Sequence, residues 1–152
     1  MTIRPAVVDD AYLLARLRAA MWDENHADAP ASREHVEEAY TYWYEMLEQG
    51  RMVAWLAEEQ GEAVGIAAML LHRHPPLPIS ARRRGYVTAV YVVPAWRRKG
   101  IAQALMQTVI DFGRAQQLQR LELRPSDMAR DLYAGLGFAP QPVWVLDVSE
   151  KQ

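Results

Sequence analysis

The chain has 152 residues, 51% of them hydrophobic and 24% charged, which is enough apolar material for one packed core and too little length for two full-sized domains. It contains no cysteine, excluding a disulfide framework, a thiolate metal site and a cysteine nucleophile, so the reduced cytoplasm is the expected compartment. A net charge of -2 argues against general nucleic-acid binding. Met1-Thr2-Ile3-Arg4-Pro5 is no basic leader, and the longest nearly uninterrupted apolar stretch, Ala63 to Leu71, is far too short to cross a bilayer.

Ile3 to Val7 suits a short opening strand, after which Asp9 or Asp10 caps a helix with the apolar stripe Leu13, Leu14, Leu17, Ala20 and Met21. Past Pro30, Ser32 caps a second helix with Val36, Tyr40, Trp43, Tyr44 and Leu47 along one face and Gly50 as its stop. Met52 to Glu58 and Ala63 to Leu71 are apolar strands that meet across Glu59-Gln60-Gly61-Glu62, a hairpin. Pro75, Pro76 and Pro78 deny the next segment its ladder donors and make it a loop. Tyr86 to Val93, dense in β-branched and aromatic residues, is a strand ending at Pro94. From about Gly100 a helix carries Ile101, Ala104, Leu105, Thr108, Val109 and Phe112 at helical spacing to about Gln116, and Leu118 to Leu123 follows as a buried strand. Ser126 then opens a short helix with Ala129, Leu132, Tyr133 and Leu136 on one side, closed by Gly137, and Val143 to Val148 supplies a last strand. This order predicts an α/β (α+β) fold in which a mixed sheet carries helices on both faces. Residues 1–152 are expected to form a single domain.

Charge is distributed unevenly. Residues 1–50 hold 4 basic and 10 acidic side chains, whereas residues 71–100 hold 7 basic and none acidic. Arg82, Arg83 and Arg84 suit either a solvated loop or a site for an anion. His72 and His74 stand two apart, but with no cysteine or carboxylate partner they indicate an exposed pair and no metal is expected.

The sharpest motif is Val92-Val93-Pro94-Ala95-Trp96-Arg97-Arg98-Lys99-Gly100-Ile101-Ala102, in which a strand ends, a basic turn follows and a helix starts at a glycine. The first N–H groups of a helix lack intrahelical acceptors and its dipole is positive there, so a turn that exposes them can cradle a diphosphate. Glycine permits the close approach.

That run, with Leu132-Tyr133-Ala134-Gly135-Leu136-Gly137-Phe138 about thirty residues later, resembles the GCN5-related N-acetyltransferase (GNAT) family, whose strand, pyrophosphate loop and helix bind acetyl-CoA. Ile3-Arg4-Pro5-Ala6 with Asp9-Asp10, and Glu62-Ala63-Val64-Gly65, are similar to its opening and its second hairpin. The resemblance implies a three-layer fold with a mixed, mostly antiparallel, twisted sheet of six to seven strands. It further implies that Arg97, Arg98, Lys99, Gly100, Ile101 and Ala102 hold the pyrophosphate, with Gln103 at the loop edge. Tyr91, Val92 and Val93 would pair their backbone with the pantetheine arm, and Tyr133 would protonate the departing thiolate. Where many members carry an asparagine that contacts the CoA arm, this chain has Ser126, which either contacts CoA or caps the helix.

The expected activity is acetyl-CoA-dependent N-acetylation of a primary amine by direct attack in a ternary complex, with no metal and with a backbone amide near Val92 stabilising the oxyanion. Asp23, Glu24, His26 and Glu122 are candidate bases, none favoured by a motif. Trp22, Tyr40, Trp43 and Tyr44 either line the acceptor pocket or belong to the core. The rival readings are a non-catalytic acyl-CoA sensor and an acetyltransferase of protein N-termini or lysines. Neither nucleic acid nor membrane is an expected partner, and dimers are common in proteins that resemble this family.

Overall fold

The computed structural model describes residues 1–73 and 83–149; the loop expected at Pro75 to Pro78, with His74 and Arg82, lies outside them. In chain order the elements are β1 (Thr2–Pro5), α1 (Ala11–Asn25), α2 (Arg33–Glu48), β2 (Met52–Glu59), β3 (Glu62–Arg73), β4 (Arg83–Val92), α3 (Ile101–Ala115), β5 (Arg120–Glu122) and α4 (Arg130–Gly135). The sheet runs β1-β2-β3-β4-β5, antiparallel through β4 and parallel between β4 and β5.

Local chemistry explains most of these elements. The β2–β3 hairpin closes on Gln60 and Gly61 with φ of 51° and 81°, the doubly left-handed pair whose twist matches that of flanking strands. Ser32 caps α2 by accepting the His35 N–H at 3.2 Å. At α1 the expected aspartate cap is replaced by a different arrangement. Asp10 stands at the cap position without a side-chain cap bond; its carboxylate accepts the Val7 N–H at 2.7 Å and both ends of the Arg4 guanidinium at 2.8 and 2.9 Å. Arg4 also reaches Glu58, so one guanidinium joins β1, β2 and the start of α1.

Strand alternation sends side chains to two cores. Leu14, Ala15 and Leu17 of α1 and Trp43 of α2 pack on Ala54, Leu56, Ile66, Ala68, Ala89 and Tyr91. On the opposite face, Ile101, Leu105, Met106 and Val109 of α3, with Tyr133 of α4, cover Trp55, Ala57, Ala67, Met69, Val87 and Val92. A bulge in β4 leaves Thr88 without a partner between Ala68↔Ala89 and Met69↔Val87. Val87 and Ala89, two apart, therefore face opposite cores, as an inserted residue requires.

Two expectations are corrected. The described residues contain five strands, not six to seven: Val143 to Val148 takes no strand pairing, and its apolar side chains are 73% to 98% exposed. Its local pattern suits a strand, but a strand exists only where an edge accepts it. Second, Arg83 and Arg84 belong to β4 and not to a solvated loop, and Arg84 pairs with Glu122 at 3.2 Å.

Candidate active site

β4 and β5 are hydrogen-bonded only at Arg84↔Arg120, Gly85↔Leu121 and Tyr86↔Glu122. Beyond that point β5 ends while β4 continues to Val92, so the sheet splits into a V at the carboxyl ends of two parallel strands, the place where open α/β sheets take ligands. A cleft of about 150 Å³ occupies the split, lined by Val87, Thr88, Ala89 and Val90 of β4, Leu123, Arg124, Ser126, Ala129 and Tyr133 beyond β5, and Met21 of α1. Met21, Thr88 and Arg124 were not among the site residues expected from the sequence, where Met21 figures only in the apolar stripe of the first helix; the available signal was position, since Arg124 lies just beyond a strand parallel to β4.

Backbone polarity in the V follows from strand alternation. The Val93 N–H pairs back to Val64 O on β3 at 2.9 Å, and the Val93 carbonyl accepts Trp96 N–H at 2.9 Å. Val93 is thus spent on the protein's own ladder, as is Tyr91, which pairs with Ile66. The N–H of Val92 points the opposite way, toward the split, and its carbonyl accepts Arg97 Nε at 2.8 Å.

The loop from Val93 to Gly100 curls because Arg98 (φ 61°) and Gly100 (φ 78°) are left-handed. Gly100 occupies the N-cap of α3 and no side chain caps the helix. The first intrahelical bond runs from Ala104 N–H to Gly100 O, leaving the amides of Ile101, Ala102 and Gln103 free for an anion. A bound pyrophosphate fits this end, since a free first turn and a left-handed glycine provide donors without a side chain in the way. Ile101 itself is buried, whereas Gln103 is exposed at the rim.

The three basic side chains of the loop diverge. Lys99 sits over the Trp96 ring, 4.8 Å from its centroid, and Arg98 is exposed. Arg97 turns toward the other side of the sheet, where its guanidinium lies 5.5 Å from the Tyr91 ring centroid and pairs with Glu24 at 2.7 Å. That ion pair holds the end of α1 to the end of β4. The Arg97 guanidinium keeps the Glu24 carboxyl below its ordinary pKa, which makes Glu24 a weak base. Burial, and then the neighbouring Glu24 carboxylate, pushes the Tyr91 phenol up to about 12.

Tyr133 is buried, with its ring edge-on to Phe138 at 5.8 Å between centroids. Burial raises its pKa above the ordinary 10.0, so the phenol is protonated throughout the neutral range. Ser126 stands at the cap of the turn before α4 but its hydroxyl makes no capping bond, and it borders the cleft instead. The remaining base candidates lie off the cleft lining: Glu122 pairs with Arg84, Asp23 accepts Ala31 N–H at 2.7 Å, and His26 stacks on Trp22 at 3.6 Å. Trp43 is core, whereas Trp22, Tyr40 and Tyr44 are exposed outside the lining set. His72 is exposed, and among the described residues no cluster of histidine and carboxylate side chains is suited to a metal ion.

The profile of the acetyltransferase (GNAT) family matches residues 16–138. The chain belongs to that family. It is 37% identical to N-acetyltransferase 8B of Mus musculus over 87 residues, 55% of this chain and 36% of that protein. The curated relatives it matches are much longer, and the chain spans 36% to 43% of their length. Among solved GNAT-like folds, a predicted acetyltransferase from Clostridium acetobutylicum determined with acetyl-CoA superposes with a TM-score of 0.84 at 24% identity, covering 95% of this chain and 94% of that one. A GCN5-related N-acetyltransferase from Ralstonia eutropha JMP134 gives 0.82 at 25% identity, with 97% of both chains covered.

Proposed function

We propose that this GNAT chain is an acetyl-CoA-dependent N-acetyltransferase acting on a primary amine by direct attack in a ternary complex. The observation that carries the reading is the split between β4 and β5, walled by a buried, protonated tyrosine, together with the free first turn of α3 at the end of the loop that follows β4. Family membership and the acetyl-CoA in a structural neighbour support the same cosubstrate. One sheet, with helices on both faces, supports a single domain. Among the described residues no helix is long and apolar enough to cross a membrane.

In this mechanism the amides of Ile101, Ala102 and Gln103 hold the pyrophosphate, with Arg98 and Lys99 adding charge at the rim. Arg97 serves the loop from behind, by fixing the Val92 carbonyl and Glu24. The Val92 N–H pairs with the pantetheine arm or donates to the thioester oxygen, where negative charge grows as the amine attacks. Ser126 offers its hydroxyl to the arm. Tyr133 gives its proton to the sulfur as the C–S bond breaks, so that CoA leaves as a thiol. No carboxylate or histidine stands among the described lining residues, and the acceptor proton leaves through water. Arg124 assists that loss, because a nearby cation favours the neutral amine.

The absence of a carboxylate from the lining also favours the rival reading, an acyl-CoA sensor without turnover, and one pair of measurements separates the two. Acetyl-CoA at one hundred times its dissociation constant adds about 2.7 kcal/mol of stability, which for a domain of this size raises Tm by about 5 to 11 °C. NAD, a dinucleotide without a pantetheine arm, gives no shift. An amine panel then reads CoA release: turnover with any acceptor removes the sensor, and no shift with acetyl-CoA removes both readings.

A further inference from the structure

The charge in the cleft has one sign. Its cation is Arg124, and no carboxylate or histidine stands among the described lining residues. The acids that could offset it are engaged elsewhere: Glu24 pairs with Arg97, Glu122 with Arg84, and Asp23 accepts Ala31 N–H. Arg124 is exposed, and among the described residues it enters no ion pair and no side-chain hydrogen bond. Two hydroxyls line the same space without a structural duty. Ser126 makes no capping bond, and Thr88 is the inserted residue of the β4 bulge, without a ladder partner. A guanidinium can only donate, and a hydroxyl with no other partner can donate too, so this lining is complementary to the oxygens of an anion.

Strand alternation gives Arg124 a side. Leu121 and Leu123 pack with α3 and α4, so Arg120, Glu122 and Arg124 fall on the α1 face of the split, which Met21 of α1 also borders. The first turn of α3 and Tyr133 belong to the opposite face. An acceptor entering opposite the cofactor therefore passes over Arg124. That approach stays cationic. Arg84 and Arg120 stand side by side in the parallel pair, and the one carboxylate between them and the cleft, Glu122, is taken by Arg84.

We infer that the acceptor is an amine carrying an anionic group, a carboxylate or a phosphate, which Arg124 binds with the Thr88 hydroxyl of the same lining. The inference rests on the acetyl-transfer reading and names its acceptor class. A guanidinium matches either anion with two parallel N–H···O bonds. A dicationic acceptor meets Arg124 with no acid in the lining to offset it, whereas the anion of a zwitterion neutralises it. Pairing also serves the chemistry: a carboxylate beside an amine raises the amine pKa, and Arg124 cancels that effect, so the amine loses its proton more readily. The N–C bond forms as the C–S bond breaks. Of the two protons an ammonium gives up, one goes to water and one is balanced by the CoA thiol, and the anionic group is unchanged.

Paired acceptors test this on the full chain, with released CoA as the readout. Each common L-amino acid is compared with its carboxamide and O-phosphoethanolamine with ethanolamine, and 1,4-diaminobutane serves as the dication. The anionic member of a pair should have a kcat/KM at least about tenfold higher, and the preferred pair tells carboxylate from phosphate. Arg124→Gln should reduce that preference by about ten- to a hundredfold, mostly through KM, while Arg124→Lys keeps part of it. The thermal shift with acetyl-CoA should stay, since Arg124 is exposed and on the acceptor face. A fall in kcat on every acceptor with the preference intact would leave Arg124 with proton loss alone and overturn the inference. Carboxamides or 1,4-diaminobutane turned over as fast as the anionic amines would overturn it while acetyl transfer stands. If no acceptor turns over, acetyl transfer fails, and titration of the same pairs into the CoA-loaded protein decides the anion site. Anionic members that bind wild type but not Arg124→Gln keep it, and equal or absent binding removes it.

Discussion

Replacing Tyr133 by phenylalanine isolates one hydroxyl. The ring keeps its place in the core and its edge contact with Phe138, and the described residues supply the phenol with no hydrogen-bond partner whose loss would be felt. Stability should therefore stay within about 0.5 kcal/mol, or about 2 °C in Tm, and acetyl-CoA affinity should hold. Removing a general acid lowers kcat by about a hundredfold or more, equivalent to about 2.7 kcal/mol of transition-state stabilisation. The chain has no cysteine, so a thiol-reactive chromophore reads released CoA without background from the protein. The pH profile adds a second signature. A general acid works only while protonated, and burial raises the Tyr133 pKa above 10.0; wild-type kcat should hold up to that region and fall above it, and Tyr133→Phe should lack that alkaline limb. A variant with kcat within twofold of wild type and the same alkaline limb would refute the assignment.

Two further substitutions probe the scaffold. Gly100→Ala places a Cβ where no atom lies within 4 Å but φ is +78°, so strain alone opposes it; the expected loss is about 1 kcal/mol, with acetyl-CoA affinity falling as the α3 amides reorient, and an unchanged thermal shift with acetyl-CoA would take this turn out of the pyrophosphate site. Asp10→Asn weakens the bond to Arg4, whose side chain is 37% exposed, so a discounted loss of about 1 kcal/mol is expected near neutral pH. Asp10 has a folded pKa lowered by Arg4: its contribution is complete above the unfolded carboxylate value and disappears as pH falls through the folded one. Melts from pH 7 down to pH 3 should show the gap between the two proteins narrowing below the unfolded carboxylate value, and a gap that does not change with pH would contradict this origin.

Much of the fold is legible from local rules. The Gln60-Gly61 turn, the Ser32 cap and the glycine opening α3 are each fixed by neighbours within a few residues, and each stands where its local chemistry puts it. The two amphipathic cores follow from alternation in β2, β3 and β4 and from the 3.6-residue period of α1 and α3. The motif around Arg97 and the Tyr133 context were enough to bring the family into view, because loop backbone geometry and the helix terminus are set by adjacent sequence.

Contacts between distant segments were decided only by the folded chain. Arg97 reads as one of three loop cations, yet it pairs with Glu24, 73 positions away, because the end of α1 packs beside the end of β4. That packing depresses Glu24, and the pairing of β4 with β5 ties up Glu122 with Arg84, removing two acidic residues that sequence alone left equal as bases. Arg124 enters the cleft only because β4 and β5 part after Tyr86 and Glu122. Val143 to Val148 marks the limit most clearly. Its apolar, β-branched pattern is a property of the residues, but a strand is a relation between two backbones, and among the described residues no edge pairs with it.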